Sequence, residues 1–166
     1  MHTATILLGS NVHPEENITN ATKLLLKECR LIKSSRIWET EAIGSDGPDF
    51  LNSALAIETP LTENELKYQV LRKIETTLGR IRIENKFADR TIDLDIIIFD
   101  GQVIDQDLWQ RSFIASPVSD LYPDLPHPGD NKSLLEVSKE LQSSAFAKIH
   151  KQTNQAKSKM QRASTP

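Results

Sequence analysis

Apolar and polar positions along this chain change period several times, and the changes mark out its elements. Thr3 to Leu8 is a short apolar run that stops at Gly9-Ser10-Asn11, the pattern of a strand followed by a turn. From Pro14 to Cys29 the period is helical. Pro14 suits a first turn, Glu15 and Glu16 suit the positive end of the helix dipole, and Ile18, Ala21 and Leu25 share one face. Arg30 to Trp38 reads as a second strand, and Glu39 to Pro48, which holds two glycines and a proline, as a loop. Phe50 to Glu58 alternates as a third strand. Leu51, Ser53, Leu55 and Ile57 lie on one face, and Phe50, Asn52, Ala54 and Ala56 on the other.

A second helix begins with a capping box, Thr62 with Glu65, and a staple of Leu61 on Leu66. Leu66, Val70 and Ile74 run along one side with Leu71 and Leu78, and Gly79 ends the helix. Ile92 to Phe99 is the fourth strand. The order β-α-β-β-α-β predicts an α+β fold with a ferredoxin-like core and an antiparallel sheet. Beyond it, Asp100-Gly101 turns a hairpin onto Gln102–Ile104, Ser116 to Tyr122 makes a short helix, and Ser133 to Leu141 a last helix extended by Phe146 and Ile149. Residues 1–151 then form a single domain, and the polar stretch 152–166 is expected to be a flexible tail.

The fourth strand carries the candidate chemistry. Alternation puts Asp93 and Asp95 side by side on one face, where two carboxylates repel unless a cation lies between them. Arg80, Arg82 and Arg90 precede them on a polar segment and offer guanidinium groups suited to phosphate. Carboxylates for a metal beside arginines for phosphate point to phosphoryl transfer from a nucleotide. The competing reading is an edge strand with a solvated polar face and a basic surface loop. The P-loop, the dinucleotide fingerprint and the kinase catalytic loop are all absent, so a bound nucleotide would rest on arginines and metal. Between Arg82 and Arg90 the polar loop carries one aromatic, Phe87, which favours a lid over a plain connector. Phe50 and Asn52, two apart on one strand face, can read a flat heterocycle by stacking and amide pairing; core packing is the simpler role for Phe50.

Composition narrows the partners. With 166 residues and a formal charge of -3, bulk nucleic-acid binding is not expected, and the arginines matter as a local patch. Cys29 stands alone, which excludes an intrachain disulfide and a cysteine zinc site. His2, His13, His127 and His150 lack metal-ligand spacing and are expected at the surface. No apolar run is long enough to span a membrane and no signal peptide is evident, so a cytoplasmic monomer acting on small molecules is expected.

Four segments in order, Leu8-Gly9-Ser10-Asn11, Pro48-Asp49-Phe50-Leu51-Asn52, Gly79-Arg80-Ile81-Arg82 and Arg90-Thr91-Ile92-Asp93-Leu94-Asp95-Ile96, resemble the 6-hydroxymethyl-7,8-dihydropterin pyrophosphokinase family of folate biosynthesis. The resemblance runs from about Thr3 to Leu125. It implies transfer of a pyrophosphoryl unit from ATP to the hydroxymethyl group of the pterin, releasing AMP. It also implies two magnesium ions between the ATP phosphates and Asp93 and Asp95. Arg82 and Arg90 would neutralise the migrating group, with Arg80 steering the loop. Arg72, Glu75, Phe87, Ile96 and Arg111 would lie at the nucleotide. Phe50 and Phe113 would sandwich the pterin, with Asn52, Asp93, Thr40, Ile43 and Gly44 around it. The chain departs from the family after Ile104, where Leu108-Trp109-Gln110 leads straight to Arg111-Ser112-Phe113 without the family's Pro-His segment. Glu39 to Gly44 also lacks the basic and proline residues usual there. Two alternatives stay open: a pterin-binding module with impaired catalysis, and a pyrophosphokinase acting on a modified heterocycle.

Overall fold

A computed structural model describes residues 1–82, 84–85 and 89–151. Alternating apolar runs build one antiparallel sheet with strands β1 (His2–Ser10), β2 (Arg30–Ser34), β3 (Trp38–Thr40), β4 (Phe50–Thr59), β5 (Asp93–Phe99), β6 (Gln102–Val103) and β7 (Ala147–Ile149). The order across the sheet is β6-β5-β1-β4-β3-β7, with β2 also pairing to β4. Central β1 pairs with β4 on one side and β5 on the other, which sets Gly9 between Asn52 and Asp93.

Both faces of the sheet are covered, because both sides of its central strands are apolar. On one face, Ile18, Ala21 and Leu25 of α1 (Pro14–Glu28) pack with Leu66, Val70, Leu71 and Ile74 of helix α2 (63–77) over Ile6, Leu8, Leu55 and Leu94. On the other, Ile114, Ala115 and Val118 of α3 (Ser112–Leu121) and Leu134 of α4 (Leu134–Ser144) cover Leu7, Ala54, Ala56 and Ile97. α2 widens into π-helical turns over Leu66–Leu71, a stretch that keeps Leu66, Val70 and Leu71 buried together. The Thr62–Glu65 capping box is formed as expected.

Three expectations change. The second strand is split: β2 ends at Ser34 and β3 begins at Trp38, so Glu39 and Thr40 belong to a strand and not to the loop. The break is held by Asp120 of α3, which accepts from the Arg36 backbone and guanidinium and from Trp38 Nε1. Second, α3 begins at Ser112, earlier than Ser116, with the Ile114 and Ala115 N–H groups on the Arg111 carbonyl forming its first turn and Pro117 inside the helix. Third, Phe146 and Ile149 do not extend the last helix. Residues Ala147–Ile149 form β7 on the open edge of β3, a pairing that local periodicity does not encode. His150 is accordingly not a plain surface residue: Nε2 lies 2.6 Å from Glu15 Oε1, and Nδ1 lies 3.5 Å from Glu39 Oε2. The expected tail, 152–166, lies outside the described residues.

Candidate active site

Gly9 is where the site begins. A Cβ there would lie 2.9 Å from Asn52 Oδ1, so only glycine lets the Asn52 amide settle against β1. Asn52 is buried and donates from Nδ2 to Thr40 Oγ1 at 2.7 Å, which orients the amide and ties β3 to β4. The next two residues of the turn secure the other wall. Ser10 donates its hydroxyl to the Thr91 carbonyl. Asn11 accepts from the Arg90 N–H at 2.7 Å and donates to Asp89 Oδ1 and the Pro48 carbonyl. Gly9-Ser10-Asn11 is thus a clamp joining three segments, a role that residue spacing alone did not disclose.

Opposite Gly9 and Leu7, β5 presents Asp93 and Asp95 on the same sheet face as Asn52. They open into a cleft of about 520 Å³. Thr40, Ile43, Phe50, Asn52 and Phe113 line it with Arg90, Arg111 and both aspartates, so most of the expected residues meet in one place. Glu41, Asp105 and Asp107 also line it and give this cleft a more acidic rim than the motifs suggested.

The cations are already engaged. Arg80 Nη1 bridges Glu75 Oε1, at 2.7 Å, and Asp93 Oδ1. Arg90 Nη1 bonds the other oxygen of Asp93, and Arg82 Nη2 bonds Glu75 Oε2 at 2.6 Å. The local sequence explains Arg80. Gly79, at φ +86°, closes α2 so that its own N–H reaches the Thr76 carbonyl and the Arg80 N–H the Glu75 carbonyl. That turn brings the Arg80 side chain back over Glu75. Burial would lower the Arg80 pKa, but Asp93 and Glu75 outweigh it and hold the guanidinium more firmly charged than usual.

Asp95 is pushed up to about 6, first by loss of surrounding water at the cleft floor and then by repulsion from Asp93 and Glu75, with Arg80 opposing. Its side chain remains open to the cleft. A carboxylate raised by like charges is one that a divalent cation relieves. Among the described residues no three acidic or histidine side chains are arranged to enclose a metal by themselves. Two carboxylates that leave positions for phosphate and water fit magnesium.

Several expected residues do not line the cleft. Glu75 is 2% exposed and bonded to Arg80, Arg82 and the Leu94 N–H, so it anchors arginines and strand and does not itself line the cleft. Ile96 turns its side chain into the core on the opposite sheet face and does not line the cleft. Arg72 lies over the Tyr68 ring on α2, and neither it nor Gly44 lines the cleft. Phe87 lies outside the described residues. Glu75 was detectable from the sequence as a charged residue four positions after Leu71, on the apolar face of α2.

The comparisons with known proteins agree on one family. The 7,8-dihydro-6-hydroxymethylpterin-pyrophosphokinase model matches residues 5–123. The chain is 30% identical over 162 residues to the 2-amino-4-hydroxy-6-hydroxymethyldihydropteridine pyrophosphokinase of Haemophilus influenzae, covering 90% of this chain and 99% of that one. It is 34% identical over 144 residues to the Pseudomonas aeruginosa protein of the same name, covering 80% and 87%. A solved HPPK-DHPS of Plasmodium falciparum superposes with a TM-score of 0.63 at 13% identity, over 86% of this chain and 44% of that one. This likeness concerns the fold alone, and the chain spans less than half of that solved protein. The match over residues 5–123 and the near full-length relative together place this chain in the 7,8-dihydro-6-hydroxymethylpterin-pyrophosphokinase family.

Proposed function

We propose that the protein transfers a pyrophosphoryl group from ATP to the hydroxymethyl oxygen of 6-hydroxymethyl-7,8-dihydropterin in folate biosynthesis, releasing AMP. The observation that carries this reading is the single cleft in which Asp93 and Asp95 face Asn52, Phe50 and Phe113. One wall offers paired carboxylates and arginines, and the other offers rings and a fixed amide.

Phe50 and Phe113 hold the pterin between them, and Asn52, oriented by Thr40, pairs with its polar edge. Asp93 and Asp95 would hold two magnesium ions, which would supply charge for the phosphates and lower the pKa of the attacking hydroxyl. Arg82 and Arg90 leave their carboxylate partners to meet the migrating group, and Arg111 approaches from the start of α3. The bond that forms joins the pterin oxygen to the β-phosphorus; the bonds that break are that from the β-phosphorus to the α–β bridging oxygen, which leaves with AMP, and the hydroxyl O–H, whose proton passes to water. The fold belongs to the same reading: β1, β2 with β3, β4 and β5 correspond to the four strands of a ferredoxin-like core, supported by the order β5-β1-β4 with β2 and β3 beyond.

The direct test is incubation with ATP, magnesium and 6-hydroxymethyl-7,8-dihydropterin. AMP and the pyrophosphorylated pterin are expected in equal amounts. Pterin binding without AMP would establish the binding module instead, and AMP formed only with another heterocycle would establish the altered substrate.

A further inference from the structure

A single nitrogen, Arg80 Nη1, lies between the carboxylates of Glu75 and Asp93. Arg80 is 13% exposed, so its charge has little water to fall back on if either carboxylate is taken from it. Asp93 is engaged on both oxygens, by Arg80 and by Arg90. A divalent cation arriving at Asp93 therefore competes with guanidinium groups for its oxygens. Arg90 is 35% exposed, so water can solvate its charge. Arg80 needs a second carboxylate already within reach.

We propose that Glu75 is a positioning residue that sets divalent-cation affinity by retaining Arg80 as Asp93 is handed to the metal; this rests on the metal role of Asp93 argued above. The geometry suits the exchange, because Arg80 need only shed one of two bonds made by the same nitrogen. The charge of Glu75 is the requirement, since a neutral acceptor would leave the largely buried guanidinium to Asp93 and Asp95, the carboxylates the metal needs. Glu75 also braces the receiving strand. Its Oε1 accepts the backbone N–H of Leu94, the residue between the two aspartates, at 2.9 Å. Strand β6 pairs with β5 at Ile98 and Phe99, so among the described residues β5 has no strand beside Leu94 on the side away from β1. Its remaining oxygen, Oε2, seats Arg82.

The strand brace and the charge are separable. Glu75→Gln keeps a carbonyl oxygen for Leu94 and removes the charge that retains Arg80. The measurement is Mn2+ titration by calorimetry on metal-free protein, alone and with an α,β-methylene ATP analogue, beside pterin titration and thermal melting. Glu75→Gln is expected to weaken Mn2+ binding at least 10-fold with pterin affinity unchanged. Adding Arg80→Ala to Glu75→Gln should recover most of that loss, because the competitor for Asp93 is gone. A role in folding alone would lower the melting temperature and would not be rescued by deleting Arg80. Wild-type Mn2+ affinity in Glu75→Gln, or no recovery in the double variant, overturns the proposal. Failure of the wild-type protein to bind Mn2+ even with the nucleotide analogue would instead overturn the metal role of Asp93, and this proposal with it.

Discussion

Asn52 and Thr40 share a buried 2.7 Å hydrogen bond across neighbouring strands, and each is 2% exposed. The bond fixes which end of the Asn52 amide faces the cleft. Asn52→Ala should weaken pterin binding by about 1–3 kcal/mol by leaving ring polar groups unpaired, with little change for ATP. Thr40→Val should cost less, since Asn52 stays in place but loses its orientation. Separate titrations with pterin and nucleotide check both; equal losses for the two ligands would dissolve the idea of a pterin wall.

Replacing either metal carboxylate should stop the reaction. Asp93→Ala and Asp95→Ala are expected to abolish AMP formation while the protein stays folded, as judged by circular dichroism. Near-normal turnover of Asp95→Ala with magnesium would remove the metal assignment.

Asp95 also gives the metal-free protein a pH dependence. Its folded-state pKa of about 6 lies above the ordinary 3.8, so the folded protein binds that proton more tightly than the unfolded chain. The stability it contributes is full below the ordinary value and is lost as pH rises toward 6. Melting in chelator should show this decline, moderated by the opening of Asp95 to the cleft. Asp95→Asn should flatten the curve and raise the melting temperature at pH 7. A slope unchanged in that variant would place its origin elsewhere.

Arg82 and Arg90 should matter to turnover more than to ground-state binding, because both now rest on carboxylates and reach phosphate only by leaving them. Arg82→Ala and Arg90→Ala are expected to lower kcat by about 10²-fold, the scale of one lost preorganised donor. Lysine at either position should restore part of the rate, lacking the forked geometry. Steady-state AMP formation beside pterin titration separates these effects.

Asp120 should carry the stability of the split edge. Burial alone would raise its carboxyl, but the hydrogen bonds from Arg36 and Trp38 prevail and hold it below the ordinary value. Asp120→Ala should therefore cost about 1–3 kcal/mol at neutral pH. In the wild type this contribution is present above the ordinary carboxyl pKa and is lost as pH falls through the lowered one. Denaturant melts at two pH values measure it.

Much of this protein was legible in one dimension because its determinants are local. The alternation of Leu51, Leu55 and Ile57 against Asn52, Ala54 and Ala56 follows from strand geometry, and the two cores divide along it. The same rule put Asp93 and Asp95 on one face. Helix ends at Thr62 and Gly79 are readable because capping is a matter of a few adjacent residues. What only the tertiary structure decided involves partners distant in sequence. β7 is a strand because β3 offers an open edge, not because Ala147–Ile149 prefers one. Glu75 anchors arginines because α2 packs its face against β5, bringing its carboxylate to the Leu94 N–H. Side-chain periodicity records which face is buried; it holds no information on which strand edge stands open or which buried charge another segment supplies.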